Sequence, residues 1–273
     1  MKKRRTFSEI SPLTYSISRE KEILKRHLQD LVRRVVFART LQSEKLPCCV
    51  MKHQSLIRRR LGVVDMQLQE NKAVNLKLAT AHLDGVLIRP GETFSLWKLV
   101  GRTSARKGYL EGMTISRGIP GKGIGGGLCQ LSNLIHWMVL HTDLTIVEHH
   151  HHDGYDLFPD FNRRVPFGTG SSISYNYLDY RFRNDTLDTF QLFVFVDGEY
   201  LQGELYATRE QPYAYHIRTK GEYFAREADG FVYRNGTVVR EVVEKATGKI
   251  VDHQVLRTNH ARVLYDVPED RLS

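Results

Sequence analysis

The first third of the chain carries apolar residues at helical spacing. Leu24, Leu28, Leu31 and Val35 follow one another at steps of four, three and four residues. This periodicity predicts an amphipathic helix between residues 19 and 40 whose other face is basic. A second periodic segment runs from residue 71 to residue 84, where an Asp-Gly pair predicts its stop. Residues 88–96 then predict a turn that leads into a strand.

Glycines followed by apolar residues mark the centre of the chain. Residues 118–127 contain six glycines, which predicts a loop of closely approaching backbone. Apolar residues at helical spacing run from Leu128 to near His141 and predict a helix that is buried on most sides. The apolar strand Leu144–Val147 then leads into four consecutive histidines, His149–His152.

From residue 172 onward, apolar and polar residues alternate with a period of two. The alternation predicts strands at 172–183, 190–196 and 199–207. Turn signals separate these and later strands at Asn184-Asp185, Asp197-Gly198, Asp229-Gly230, Asn235-Gly236 and Thr247-Gly248-Lys249. The predicted fold class is α+β: N-terminal helices, a central buried helix after a Gly-rich loop, and a mainly antiparallel, β-rich second half.

The charge of the chain is concentrated near its N-terminus. Residues 1–60 hold 16 Lys and Arg against 5 Asp and Glu, and the remainder holds 24 against 26. The two parts carry +11 and −2, which sum to the net charge of +9. A basic segment of this kind is either a solvated helix face or a peripheral contact with an anionic membrane surface. We expect no nucleic-acid partner.

Apolar runs are short throughout the sequence. The longest is Leu134–Leu140, which is too short to cross a bilayer, and no apolar segment follows the charged N-terminus. The sequence therefore predicts a cytoplasmic protein with possible membrane association.

One of the three cysteines stands in a reactive setting. Cys48 and Cys49 are adjacent and are expected to be small buried residues outside any disulfide. Cys129 lies where the glycine run becomes the apolar helix. A thiol at a helix start meets the positive end of the helix dipole and unpaired backbone N–H groups, which favour the thiolate. Residues 125–127 would supply an oxyanion hole or form a plain connector.

The histidine block allows three interpretations. One imidazole is the general base for Cys129, the block binds zinc together with Asp153 or Asp156, or it is an exposed polar turn. Glu148, directly before the block, would orient an imidazole. No H-E-x-x-H or C-x-x-C spacing supports zinc.

Four segments together resemble a known family. They are Pro90-Gly91-Glu92-Thr93-Phe94-Ser95, Gly125-Gly126-Gly127-Leu128-Cys129-Gln130-Leu131-Ser132, Ile146-Val147-Glu148 before the histidines, and Ser174-Tyr175-Asn176-Tyr177-Leu178-Asp179-Tyr180-Arg181-Phe182-Arg183-Asn184. They are similar to the VanW family, over about residues 65–207. The resemblance divides the chain into a basic helical N-terminal segment (1–60), a VanW-like core domain (61–207) and a β-rich C-terminal extension (208–273).

The resemblance implies cell-wall biology, an accessory association with vancomycin resistance and L,D-transpeptidase chemistry on peptidoglycan stem peptides. Cys129 would attack a diaminopimelate carbonyl in a tetrapeptide stem and release D-alanine. The family's H-x-H element falls on His150 and His152, which makes His152 the first choice of base and His150 the second.

The resemblance further implies substrate contacts and no cofactor. Backbone donors would come from Gly126, Gly127 and Gln130, and Ser132 and Tyr177 in the matching motifs would also bind substrate. Two other functions stay open: a non-catalytic protein that binds a wall precursor or the membrane surface, and a zinc hydrolase.

Overall fold

Helices and mostly short strands make up the first half of the chain, and the longest strands lie in the second half. The computed structural model describes residues 10–59, 65–116, 119–151, 154–157, 159, 165–175 and 178–273. The helices are α1 (Pro12–Val32), α2 (Met66–Thr80), α3 (Leu96–Val100) and α4 (Cys129–Val139). The strands are β1 (Cys48–Leu56), β2 (Val86–Ile88), β3 (Thr93–Ser95), β4 (Glu111–Ser116), β5 (Ile119–Ile124), β6 (Thr145–Glu148), β7 (Tyr155–Asp156), β8 (Arg181–Arg183), β9 (Phe190–Asp197), β10 (Tyr200–Ala207), β11 (Tyr213–Arg226), β12 (Val232–Glu244) and β13 (Ile250–Val263).

In the described part of the chain, the strands form four sheets. Their orders are β1-β10-β9-β2, β3-β8-β6, β4-β5 and β11-β12-β13-β7. Pairing is antiparallel except between β13 and β7. The predicted α+β class with a β-rich second half is confirmed. In the described residues, no helix has both the length and the apolar composition that crossing a membrane requires.

The apolar centre of the protein lies between α4 and the first sheet. Leu131, Leu134, Ile135 and Met138 of α4 are almost fully buried. At Gly203 of β10, an added Cβ would lie 2.5 Å from Leu134 and 2.6 Å from Met138, so the helix packs directly on the strand. The prediction of a central buried helix is confirmed.

Three local predictions were wrong. The predicted glycine loop is in part strand β5, which pairs with β4, because backbone hydrogen bonds need no side chains. The predicted turn at Asn235-Gly236 lies inside β12, where Gly236 pairs with Asn259. Within the predicted strand 172–183, the described residues (172–175 and 178–183) are strand only at Arg181–Arg183, apart from an isolated bridge between Ser174 and Leu178.

The N-terminal helix begins and ends earlier than its apolar spacing predicts. Ser11 caps the first turn by accepting from the N–H of Thr14, while the Thr14 hydroxyl bonds back to Ser11. The helix ends at Val32, and Arg34 has a positive φ of 51°, which a helix does not accommodate.

A backbone contact between two glycines fixes the start of α4. An added Cβ at Gly126 would lie 2.2 Å from the carbonyl of Gly112, and one at Gly112 would lie 2.4 Å from the oxygen of Gly126. The buried amide of Asn75 donates to the oxygens of Gly126 and Leu110, and accepts from the N–H of Leu110. Helix α2, strand β4 and the glycine segment are thereby locked together.

We expect Gly126→Ala to lower the free energy of unfolding by about 3 kcal/mol or more, because a methyl group would force two backbones apart. Urea denaturation measures this loss. Gly170→Ala is the control: an added Cβ there meets nothing within 4 Å, so stability should change by less than about 0.5 kcal/mol. Equal stability of the two variants would contradict the close contact.

Candidate functional site

Cys129 is the first residue of α4, as the sequence predicts for a thiol at a helix start. Gly125 and Gly127 before it have φ values of 76° and 92°, a region that side-chain-bearing residues rarely adopt. The residue is half-buried and its thiol is free. The other two thiols are also free, but Cys49 is exposed, so the expectation that it is buried was wrong.

Burial determines the protonation state of the Cys129 thiol in the resting protein. It raises the pKa of Cys129, while the backbone N–H of Ile173 and the N–H of Cys129 itself partly offset the rise. The sequence predicts that the start of the helix favours the thiolate; the backbone N–H groups do lower the pKa of the thiol, but burial outweighs them. Among the described residues, no imidazole contributes to the pKa of the thiol.

The predicted substrate-binding residues around Cys129 are mostly engaged in the fold. The N–H of Gly126 donates to Gly123, and the N–H of Gln130 donates to Gly127. Within the described part of the chain, the N–H of Gly127 has no hydrogen-bond partner, so it is available to a developing oxyanion. The Gln130 amide donates to Ser55 and to the carbonyl of Leu56.

Ser132 contacts a neighbouring segment that begins at Ser171. The Ser132 hydroxyl is within reach of the carbonyls of Cys129 and Ser171, at 3.0 and 3.4 Å. The next residues of that segment reach both the cysteine and the histidine block. Ser172 donates to the carbonyl of His150 at 2.7 Å, and the backbone N–H of Ile173 lowers the pKa of the Cys129 thiol.

His150 is held by a carboxylate. Its Nε2 lies 2.9 Å from Oε1 of Glu148, so Glu148 orients an imidazole as the sequence predicts. An imidazole fixed by a carboxylate has the arrangement of a catalytic base. His152 and Tyr177 lie outside the described residues, and their predicted roles stay predictions.

A stack of aromatic rings joins α4 to the histidine block. His136 of α4 stacks on His149 with ring centroids 3.9 Å apart, and His149 meets His151 edge-on at 4.0 Å. The Nδ1 of His136 is 3.0 Å from the hydroxyl of Tyr180. His136 is seven residues beyond Cys129, or about 10 Å along the helix. The stack therefore lies about two turns from the thiol.

Buried charges surround Glu148. Arg26 of α1 binds its carboxylate, and Arg181 approaches it at 3.6 Å. Arg181 also binds Asp179 at 2.7 Å and Asp30 of α1 at 2.6 Å. Although burial alone would raise the pKa of Asp30, the hydrogen bond and charge of Arg181 hold it below its usual value.

Lys72 of α2 is a candidate that the sequence analysis missed. Its side chain is buried and its stem lies against Gly127, where an added Cβ would come within 2.4 Å of it. Burial, with smaller contributions from Arg59 and Arg58, lowers the pKa of Lys72 to about 8. Within the described residues this ammonium has no acidic partner. In the sequence, Lys72 looks like any solvent-exposed lysine on a helix. No sequence signal therefore marks it as buried.

Zinc binding finds little support near the histidine block. Among the described residues, no group of three His, Cys, Asp or Glu side chains is placed to hold a metal ion. Asp156, one of the proposed oxygen ligands, accepts from Arg234 and from the hydroxyl of Tyr265. The other, Asp153, lies outside the described residues.

We expect the histidine stack to make stability depend on pH. Burial holds the pKa of His136 well below its usual value, so the folded state binds fewer protons than the unfolded state. The contribution of this group is complete above the unfolded pKa of about 6.5 and falls by up to about 1.4 kcal/mol per pH unit below it. Urea denaturation between about pH 7.5 and about pH 5.5 measures the slope.

His136→Gln keeps a polar group near Tyr180 and should flatten this slope. The remaining slope reflects other histidines such as His141, whose pKa burial also lowers. The control is His82→Gln, at an exposed position, which should leave the slope unchanged. An unaltered slope in His136→Gln would refute the assignment.

Comparison with known proteins places the chain in a family. The family model described as VanW like protein matches residues 71–206. The chain is 36% identical over 233 residues to the Vancomycin B-type resistance protein VanW of Enterococcus faecalis, covering 85% of this chain and 84% of the relative. It is 30% identical over 118 residues to the uncharacterized protein YoaR of Bacillus subtilis, covering 42% of this chain and 36% of that protein. No solved structure matches significantly. The chain belongs to the VanW family of vancomycin-resistance-related proteins.

Proposed function

We propose that this chain is a cysteine-dependent acyltransferase that acts on peptidoglycan stem peptides, with L,D-transpeptidase-like chemistry and Cys129 as nucleophile. The observation that carries the proposal is the position of the thiol. The thiol lies at the start of α4, and the backbone N–H of Ile173 lowers its pKa. Ser172, the residue before Ile173, donates to the carbonyl of His150. A nucleophile, an oriented imidazole and main-chain donors thus belong to one connected region.

The reaction uses these groups in two steps. The base takes the thiol proton, and the sulfur attacks the carbonyl carbon of the third stem residue, forming a C–S bond. The C–N bond to D-alanine then breaks as the leaving amine accepts the proton, leaving a thioester. The amine of a second stem attacks the thioester carbon and loses its proton to the base, and the C–S bond breaks to regenerate the thiol.

Main-chain and side-chain groups near Cys129 suit such a substrate. The N–H of Gly127 would stabilise the oxyanion that forms at the attacked carbonyl. The ammonium of Lys72, which is mostly protonated at pH 7 with a pKa of about 8, would bind a carboxylate of the stem peptide. The base is His150, which Glu148 holds, or His152.

A second candidate function is non-catalytic binding of a wall precursor. The observation that favours it is the raised pKa of the Cys129 thiol. A resting thiol of this kind is protonated at neutral pH, as a structural cysteine would be. The two functions differ in whether the bound stem peptide is changed.

The decisive experiment incubates the full chain with a tetrapeptide muropeptide and follows products by mass spectrometry. We expect release of D-alanine and a cross-linked dimer, at a rate that rises with pH because the thiol must be deprotonated. Cys129→Ala should lower the rate at least about a thousandfold, whereas Cys49→Ser, at an exposed position on β1, should leave it unchanged.

Two outcomes argue against the acyltransferase. Full turnover by Cys129→Ala would show that Cys129 is not the nucleophile. Binding of the tetrapeptide without any product would favour the non-catalytic function. His150→Gln tests the base in the same assay. If His150 takes the proton, this variant should lose most of its turnover at neutral pH and regain it only at higher pH, where the thiol ionises without a base. If His152 takes the proton, turnover at neutral pH should stay close to that of the wild type.

The role of Lys72 has its own test. We expect Lys72→Met, which keeps the apolar stem, to raise KM about tenfold while kcat changes less than about twofold, because a charge that binds substrate is removed. Lys77→Met, at an exposed position on the same helix, is the control and should leave both constants unchanged. If Lys72→Met unfolds normally on heating and its KM is unaltered, the ammonium of Lys72 does not bind substrate and the side chain serves only packing.

A further inference from the structure

Helix α1 turns its apolar face to the solvent. Six apolar residues along this helix are between 51% and 81% exposed: Leu13, Ile17, Leu24, Leu28, Leu31 and Val32. Their spacing places them on one side of a helix of 21 residues, which is about 31 Å long. Charged residues interrupt this stripe between Ile17 and Leu24, and Leu24, Leu28 and Leu31 form its longest continuous part. An exposed apolar stripe of this length is unusual on a protein surface and marks a surface that binds something apolar.

The opposite face of α1 is polar and holds the helix to the protein. Asp30 binds Arg181 at 2.6 Å and Lys98 at 3.1 Å. Arg26 binds Glu148, and Ile23 is buried beside them. Because these inward contacts fix the rotation of the helix, the outward direction of the apolar stripe is set by the fold.

Basic side chains border the stripe. Lys21 and Lys25 follow one side of it, and Arg33 and Arg34 are exposed at the C-terminal end of α1. In sequence, Lys2, Lys3, Arg4 and Arg5 precede the helix. The acidic Glu20 on the other side is bound by Arg102, whose hydrogen bond lowers the pKa of that carboxyl. An apolar stripe bordered by cations matches the chemistry of an anionic bilayer surface.

We propose that α1 is an in-plane membrane anchor that docks the protein on an anionic lipid surface. Its apolar stripe enters the boundary between headgroups and acyl chains, and its basic border contacts the lipid phosphates. Glu148 binds both Arg26 of the anchor and His150. Docking therefore leaves the histidine segment behind the helix, roughly one helix diameter (about 10 Å) from the lipid surface.

A second copy of the chain fits this stripe less well. Pairing two such helices would bring together two sets of cations on chains that each carry +9, and like charges repel. The lipid surface supplies the opposite charge. Self-association is a measurable outcome of the test below.

The experiment is flotation of the full chain with phosphatidylcholine vesicles, with and without phosphatidylglycerol. We expect binding to the mixed vesicles that weakens with added salt. Leu24→Gln with Leu28→Gln should lower the partition coefficient roughly tenfold or more. Lys21→Gln with Lys25→Gln should lower it roughly twentyfold at low salt.

Leu187→Gln is the matched control, since Leu187 is an exposed leucine far from α1 in sequence, and it should bind as the wild type does. Failure to bind the mixed vesicles, equal binding to both lipid compositions, or wild-type binding by the leucine variant would each overturn the proposal. So would a stable dimer, seen by sedimentation, that the leucine variant dissociates. The assay contains no peptidoglycan, so its result does not depend on the acyltransferase proposal.

Discussion

The contact between Gly112 and Gly126 is the constraint on which the site depends. Because neither residue has a side chain, strand β4 comes close enough to the glycine segment for Asn75 to bond both Gly126 and Leu110, the residue before β4. This fixes the point at which α4 begins, and therefore the position of Cys129. It also brings the glycine segment onto α2, so that the stem of Lys72 lies on Gly127. The glycines of this motif serve packing first: the N–H groups of Gly125 and Gly126 are bonded within the fold, and among the described residues that of Gly127 has no partner.

A second constraint comes from the buried charges around Glu148 and Arg181. Buried ion pairs contribute little net stability, because desolvation offsets their attraction. What they do fix is position: Arg181 and Lys98 bind Asp30, and Arg26 binds Glu148. These contacts turn the polar side of α1 inward and its leucines outward. The same carboxylate that receives Arg26 also holds His150, so one ion network positions both the surface helix and the imidazole.

Local periodicity predicted the elements whose environment matches their sequence pattern. Helix α4 and strands β9 and β10 were predicted to within a few residues, because their faces are buried as the spacing implies. Strand β5 was missed because its pairing rests on backbone groups of glycines. The direction of the apolar face of α1 was not predictable, since it depends on ion pairs with residues more than a hundred positions away, such as Arg181 and Glu148.

The state of the Cys129 thiol follows from two opposing effects of different size. A helix N-terminus favours an anion by roughly 0.3–1 kcal/mol, less than one pKa unit. Burial of an ionisable group shifts its pKa by as much as several units, and at Cys129 burial prevails. The helix dipole therefore cannot by itself generate the thiolate. The acyltransferase reaction proposed above would therefore need a base at this sulfur, and we propose His150, which Glu148 orients. Arg26 of α1 binds the same Glu148, so in that proposal the position of the base depends on how the N-terminal helix packs against the protein.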